Sequence, residues 1–390
     1  MSSERRRLCV AITARPSYSR IRSALEVLRD NGQVQVQVLC SGSALLDRYG
    51  RVVDLIRADG FEVVEELYTF VEGNEPINMA LTTANTIHHT ASVLRRLAPD
   101  WVMTIADRYE TLGTAVAAAY VGVPLIHVQG GEITGNIDEK VRHAVTKLAD
   151  VHLVANTQAG ARLLRMGEHP DSIHVTGCPS IDLAREALAM PEGGAVQAAI
   201  DALGVGAKVD LRKDFIVVLQ HPETDSYEQS YGRMSATLDA VADIGMQALV
   251  FWPNVDAGSD ATSKAIRVFR ESGRFTDAHY MKNLEGHLFL QLLSMSRCLV
   301  GNSSVGIRES AYLGTPVVNL GDRQRGRERG TNVLDTDFDR AAIRAAIEHQ
   351  LRVGRYPMST LYGDGHAGTQ IAHVVQGLGA TPISKRFHET

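Results

Sequence analysis

Short β-rich runs alternate with longer helical patterns along nearly all of this 390-residue chain, and that alternation restricts its possible folds more than any other feature. The first series of apolar runs comprises Leu8–Thr13, Val34–Cys40, Phe61–Val64, Trp101–Ile105, Leu125–Val128 and Val151–Val154. A second comprises Phe215–Leu219, Ala248–Trp252, Cys298–Gly301 and Pro316–Leu320. Between them lie segments with helical spacing: Tyr18–Asn31, Pro76–Leu97, Glu110–Val121, Asp138–Asp150, Glu228–Asp243 and Ser303–Leu313. Strand–helix–strand order of this kind calls for parallel sheets with helices on both faces, an α/β fold.

A looser stretch, Pro191–Asp214, carries Gly193–Gly194 and Gly204–Gly206 and separates the two series. It divides the chain into two expected Rossmann-like domains, 1–190 and 207–365, with a last helical pattern at 366–380 returning to the first. Val34–Val38 reads VQVQV, an alternation expected of a half-exposed strand near a sheet edge. The apolar runs are too short and interrupted for a membrane span, and the N-terminus lacks the apolar core and cleavage site of a signal peptide. A net charge of −5 gives no general attraction to nucleic acid or acidic lipid, so an anionic ligand needs a local basic cluster. Cys9, Cys40, Cys178 and Cys298 show no CxxC spacing and are expected as reduced thiols of a cytoplasmic protein.

In open α/β sheets ligands bind beyond the carboxyl ends of the strands. Seven strand ends here carry polar groups: Ala14-Arg15-Pro16-Ser17-Tyr18-Ser19, Asp107-Arg108, Gln129-Gly130-Gly131-Glu132, Gln220-His221-Pro222-Glu223-Thr224, Pro253-Asn254-Val255-Asp256, Asn302-Ser303-Ser304 and Gly321-Asp322-Arg323-Gln324. One polar loop means little; seven, from both halves, imply a single cleft between the domains. Asn302–Gly306 opens a helix whose N–H groups suit a phosphate, though Asn and Ser also serve as plain caps. Glu309, further along that helix, either reaches a ribose diol or faces solvent. Arg323, Arg325, Arg327 and Arg329 form either a diphosphate contact or a solvated surface. GxxxxGK[ST] and a complete GxGxxG after a strand are both missing, which argues against a P-loop and against NAD. A metal is not expected: His88-His89 lies within a helical pattern, where neighbours point apart, and Glu139 and His143 at i,i+4 suit a salt bridge.

With these residues assembled, the chain resembles the UDP-N-acetylglucosamine 2-epimerases, in particular the hydrolysing, N-acetylmannosamine-forming branch. The resemblance is carried by ARPSYSRI (14–21), ADRYETL (106–112), HVQGGEITGNIDEKVRHAVTKLAD (127–150), TGCPSID (176–182), QHPET (220–224), WPNVDAGS (252–259), GNSSVGIRES (301–310) and GDRQRGRERGTNV (321–333), in order over nearly the whole chain. It implies two Rossmann-like domains with a ligand cleft between them, the arrangement called glycosyltransferase B. It implies a UDP-sugar substrate, no cofactor or metal, and a homodimer or homotetramer. Carried over by motif, Arg15 and Ser19 meet the UDP from one side. Asn254, Ser303, Ser304, Glu309 and Arg323 hold it from the other. Asp107, Arg108, Glu132, Asp138, Arg142, His143 and His221 surround the sugar.

The implied reaction eliminates UDP from C1 and a proton from C2, giving 2-acetamidoglucal, and then adds water at C1 with a proton returning to the other face of C2. No carbonyl acidifies the C2 hydrogen, so C1–O cleavage must lead. Donors must therefore stabilise the departing UDP, a task for Ser303, Ser304, Arg15 and Arg323, with His221 as phosphate partner or proton donor. Carboxylates must exchange protons near the ring, a task for Asp107, Glu132 and Asp138. Two of them have a plainer alternative: pairing with Arg108 alone for Asp107, and capping its helix alone for Asp138. Gln129 stands where many family members carry a catalytic Glu, and an amide cannot transfer protons near pH 7. Either another carboxylate such as Glu132 takes the task or the chemistry differs. The alternatives are the same reaction on a modified UDP-sugar such as a 2,4-diacetamido-trideoxyhexose, and a catalytically silent nucleotide-sugar binder.

Overall fold

A computed structural model of the chain describes residues 5–73, 75–134, 137–191, 193–254, 257–379 and 385–389. Val255 and Asp256, singled out after Ala248–Trp252, lie outside the described residues, as does the end of the C-terminal helical pattern at residue 380. The chain forms two compact units, one of Met1–Glu132, Ile137–Asp182 and Gly363–Thr390, the other of Ile133–Asn136 and Leu183–Tyr362. The passage from first to second thus falls at Asp182/Leu183, upstream of the glycine-bearing stretch where the sequence places it.

Among the described residues the first unit holds strands β1 (Arg6–Ile12), β2 (Val34–Ser41), β3 (Val63–Leu67), β4 (Trp101–Ile105), β5 (Leu125–Val128), β6 (Val151–Val154) and β7 (Ile173–Val175). They pair in parallel in the order β3-β2-β1-β4-β5-β6-β7. Alternate residues of β1 enter opposite cores. Leu8, Val10 and Ile12 pack with Tyr18, Leu25 and Ile56, whereas Cys9 and Ala11 pack with Val93, Val102 and Leu125. Burial of both faces explains why these strands read as continuous apolar runs. VQVQV lies in β2, one strand in from the edge, with Gln35 exposed and Val38 buried.

The second unit holds β8 (Val205–Gly206), β9 (Ile216–Leu219), β10 (Ala248–Phe251), β11 (Ala278–Met281), β12 (Cys298–Gly301), β13 (Val317–Leu320) and β14 (Val333–Thr336). Their order is β14-β13-β12-β9-β10-β11-β8, parallel apart from the antiparallel pair β8/β11. Ile216, Val218, Val250, Val300 and Val318 pack against Leu238, Ile266 and Ile347. Among the parallel strands of each sheet the direction of chain progression reverses once, between β1 and β4 and between β9 and β12. Loops leaving neighbouring strands there run to opposite faces and leave a crevice at the carboxyl ends.

Several elements depart from the sequence expectation. The third strand starts at Val63, and β7, β8, β11 and β14 were not expected. Tyr18–Asn31 is two helices, Arg15–Ser19 and Arg22–Asn31. Ser303–Leu313 is also two, Ser304–Ile307 and Glu309–Leu313, broken where Arg308 takes φ −94°, ψ −72°. The stretch after Pro191 contains a helix, Gly194–Ala202, whose Val196 and Ile200 are buried. The C-terminal helix Ala367–Gly377 packs on Arg22–Asn31 within the first unit. Its first amides are satisfied by Asp182, which accepts from Ala367 N at 2.9 Å and Gly368 N at 2.6 Å. All four cysteines are buried and unbridged, and no helix among the described residues is long and apolar enough to cross a membrane.

Candidate active site

At the end of β4 the chain turns through Ala106, which adopts a left-handed conformation (φ +63°) without being glycine. Such a turn costs about 1–2 kcal/mol and persists only where neighbours enforce it. Both of its peptide groups are tied to β5: Ala106 N–H donates to Val128 O at 2.9 Å, and Ala106 O accepts from His127 Nε2 at 2.9 Å. The next residue, Asp107, is thereby directed at Arg142, whose Nη2 donates to Asp107 Oδ2. Arg142 is 1% exposed, and its Nη1 donates to the backbone O of Glu132 at 2.7 Å. Burial works against its charge, but Asp107, Glu132 and Asp138 together hold its pKa above the ordinary value.

One expected carboxylate, Asp107, therefore pairs with an expected arginine, and the charges of Glu132 and Asp138 favour the same guanidinium. Asp107 pairs with Arg142, not with Arg108 as one expectation had it. Arg108 instead reaches the fully buried Glu110, with Nε 3.2 Å from Oε2, and lies 5.1 Å over the Tyr109 ring. Asp138 is the first residue of the Asp138–Leu148 helix rather than its cap, which is Ile137. With Glu139 it places negative charge on the first turn, favourable to the helix dipole. His143 sits 3.6 Å from Glu139 and is half-buried; burial and then Arg142 lower its pKa.

Gln129, at the end of β5, is also left-handed (φ +66°) and 1% exposed. Its Nε2 donates to Cys178 Sγ at 2.7 Å, and its Oε1 is buried with no hydrogen-bond partner among the described residues. The two following glycines have different reasons. A Cβ at Gly130 would stand 2.9 Å from His127 Nδ1 and 3.0 Å from Thr146 Oγ1. Gly131 has φ +77°, and a Cβ there would stand 2.5 Å from Ala159 O. Arg15 heads the short helix that follows β1, while the Ser19 hydroxyl donates to Pro16 O at 3.1 Å, within its own turn.

In the second unit the residues after β9 and β12 meet across the reversal point. Asn302 Oδ1 accepts from His221 N at 2.7 Å, and Asn302 Nδ2 donates to His221 O at 3.0 Å. His221 Nδ1 accepts from Asn254 N at 3.1 Å, which leaves Nε2 as the protonated nitrogen of the neutral ring. Ser303 and Ser304 are half-buried at the start of the short Ser304–Ile307 helix. Arg323 Nη1 is 3.4 Å from Asn302 O, and Gln324 Nε2 donates to the same oxygen at 3.0 Å. Glu309 is buried, not solvent-facing, and its Oε2 has no hydrogen-bond partner among the described residues.

The other arginines of the loop divide. Arg325 is exposed beside Asp322, Arg327 Nη1 donates to Gln324 Oε1 at 2.8 Å, and Arg329 pairs with Asp335. Three structural anchors of these sites had no such role in the sequence reasoning: Asn302 and Glu223, which it named only as members of strand-end clusters, and His127, to which it gave no role. Glu223 accepts from Asp322 N at 2.8 Å, Arg323 N at 3.0 Å and Arg233 Nη1 at 2.6 Å. The available signal was a polar residue at a strand end or, for His127, inside a fully buried strand. Among the described residues, no group of three or more His, Cys, Asp or Glu side chains is placed to hold a metal ion.

Residues 26–376 match the family described as UDP-N-acetylglucosamine 2-epimerase. A UDP-N,N'-diacetylbacillosamine 2-epimerase (hydrolyzing) of Legionella pneumophila is 28% identical over 92% of this chain and 93% of that relative. Polysialic acid biosynthesis protein P7 of Escherichia coli is 30% identical over 85% of this chain and 82% of that protein. The crystal structure of the Neisseria meningitidis UDP-GlcNAc 2-epimerase bound to UDP-GlcNAc superposes with a TM-score of 0.79 at 17% identity, covering 95% of this chain and 99% of that one. At that identity the likeness speaks for the fold alone.

Proposed function

The chain belongs to the UDP-N-acetylglucosamine 2-epimerase family, and from that premise we propose that it is the hydrolysing enzyme, converting UDP-N-acetylglucosamine and water to N-acetylmannosamine and UDP. The observation that carries the reading is the ion pair of Asp107 with the buried Arg142, which the Glu132 backbone also holds. In the elimination step the C1–O bond breaks with its electron pair leaving on UDP. The positive character that develops at C1 makes the C2 hydrogen acidic enough for a carboxylate to remove. Water then adds to C1 of the glycal, and a proton returns to the opposite face of C2. Asp107, Glu132 and Asp138 exchange these protons and oppose the positive ring. His221 Nε2–H, Arg323, Arg15 and the Ser303–Ser304 segment stabilise the leaving diphosphate. Glu309, Asn254 and Ser19 are assigned to the rest of UDP, and Gln129, Arg108 and His143 to the sugar. We further propose a cytoplasmic homodimer or homotetramer; the four unbridged thiols accord with a reducing compartment.

A second reading has its own support: the Legionella relative is named for UDP-N,N'-diacetylbacillosamine. The same elimination and hydration apply to that sugar, with an acetamido group at C4 to be seated. The deciding experiment is incubation with each UDP-sugar in D₂O, followed by NMR of the products. N-acetylmannosamine deuterated at C2 supports the first reading. The deuterated 2,4-diacetamido product alone supports the second. UDP-sugar binding with no turnover of either would leave the protein a silent binder and remove both.

A further inference from the structure

We infer that His127 is a positioning residue for the Asp107 carboxylate, acting through the backbone of Ala106 and held in one orientation by Thr146. The inference deepens the functional reading above, since it takes Asp107 to work on the sugar. The imidazole of His127 is fully buried on β5. Its Nε2 lies 2.9 Å from Ala106 O and its Nδ1 3.3 Å from Thr146 Oγ1. A carbonyl oxygen can only accept, so Nε2 carries the proton; Nδ1 must then accept, and the Thr146 hydroxyl donates.

Thr146 and Arg142 stand one turn apart on the Asp138–Leu148 helix. The contacts therefore close a ring: Thr146 to His127, His127 to Ala106, Ala106 through the chain to Asp107, and Asp107 back to Arg142. Rotating the Ala106 peptide out of its left-handed turn would redirect Asp107, and the His127 hydrogen bond opposes that rotation. The space at Gly130 fits this role, because a side chain there would strike both partners of the His127–Thr146 pair.

The ring is not a proton relay. Burial lowers the His127 pKa to about 3, reinforced by His152 and Arg142 and opposed by the Ala106 hydrogen bond and by Asp107. The imidazole thus stays neutral wherever the enzyme is folded and active. Its contribution is geometric, and a displacement of a reacting group by about 1 Å is enough to slow a reaction on the order of 10²-fold.

The test combines Thr146→Val, which removes the donor, with Thr146→Ser, which keeps it. Thr146→Val is expected to lower kcat roughly 10- to 100-fold with KM little changed, and Thr146→Ser to restore most of the rate. In an Asp107→Asn background Thr146→Val should cost little more, because the residue through which it acts is already gone. Two readouts need no substrate. Nitrogen NMR of histidine-labelled protein should show His127 as the Nε2–H tautomer, without titration from pH 5.5 to 8.5. Urea unfolding of the single and double variants should be non-additive between Thr146 and Asp107. An Nδ1–H tautomer, titration in that range, or additive effects on both kcat and unfolding would overturn the inference. If the wild-type protein turns over no UDP-sugar, the functional reading fails, and the tautomer and unfolding cycle decide the ring separately.

Discussion

Arg142 and Asp107 form an ion pair in which the guanidinium is 1% exposed and the carboxylate half-buried. Arg142 is also bound to the backbone of Glu132 at 2.7 Å. Replacing it by Met leaves buried negative charge uncompensated, a loss expected to be about 3–5 kcal/mol. Asp107→Asn keeps an acceptor for Arg142 and leaves Glu132 and Asp138 beside it, so its stability loss is expected to be smaller. Turnover should nevertheless fall ~10²–10⁴-fold, the usual effect of losing a proton-transferring group. Urea unfolding and UDP release, measured on both variants, separate the two roles; equal stability losses would mean that the pair has no asymmetry.

Gly130 and Gly131 are adjacent, yet their substitution by Ala should differ. The Cβ of Gly131→Ala would meet a backbone oxygen at 2.5 Å, at φ +77°. Neither obstacle yields to a rotamer change, and about 2–5 kcal/mol is expected. At Gly130 the obstructing atoms are side-chain ones, His127 Nδ1 at 2.9 Å and Thr146 Oγ1 at 3.0 Å. Gly130→Ala is expected to cost about 1–3 kcal/mol and to disturb the His127 tautomer, measurable by thermal unfolding and nitrogen NMR.

Acid should destabilise the first unit in two stages. Burial lowers the pKa of His127 to about 3 and lowers that of His152 despite its hydrogen bond to Glu168. The unfolded chain takes up these protons near pH 6.5 and the folded one does not. Stability therefore falls as pH drops below 6.5, by about 1.4 kcal/mol per pH unit for His127, with His152 acting in the same direction. Glu168 is buried, which alone would raise its pKa, but hydrogen bonds from His152, Lys147 and Lys385 hold it at about 2. Its contribution is present above the ordinary carboxylate range and is lost between about pH 4.5 and 2. Urea midpoints at pH 7, 5 and 3.5 should fall progressively. Lys385→Met, which removes one of Glu168's donors, should lower the pH 7 midpoint and flatten the lower stage.

Alkali should act on the second unit through His287. Hydrogen bonds to Glu186 at 2.8 Å and Glu285 at 3.3 Å raise its pKa to about 9, against the effect of burial. A raised folded-state pKa stabilises the protein fully below pH 6.5, and that contribution disappears as pH rises towards 9. The difference in unfolding free energy between wild type and His287→Gln should therefore shrink from pH 6.5 to 9. A constant difference would mean that His287 is not protonated in the folded protein.

The alternation of apolar runs and helical patterns was sufficient for the α/β architecture, because strands covered on both faces must be apolar throughout. Trp101–Ile105, Leu125–Val128, Val151–Val154 and Cys298–Gly301 coincide with strands for that reason. β7, β8, β11 and β14 were not legible. They are two to four residues long, lie at or next to a sheet edge, and include polar residues such as His174, His279 and Asp335. The single helix expected over Ser303–Leu313 failed at Arg308, whose buried side chain and backbone break lie in a sequence that otherwise favours helix.

Sequence alone determined which residue types gather at the strand ends, because each end is reached by counting along one strand and one turn. The partners of those residues were decided only by tertiary structure. Asp107 faces Arg142 rather than its neighbour Arg108, and His221 binds Asn302 from 81 positions away. The order in which parallel strands lie side by side sets such pairings, and that order follows from burying both faces of a whole sheet, which no local pattern encodes.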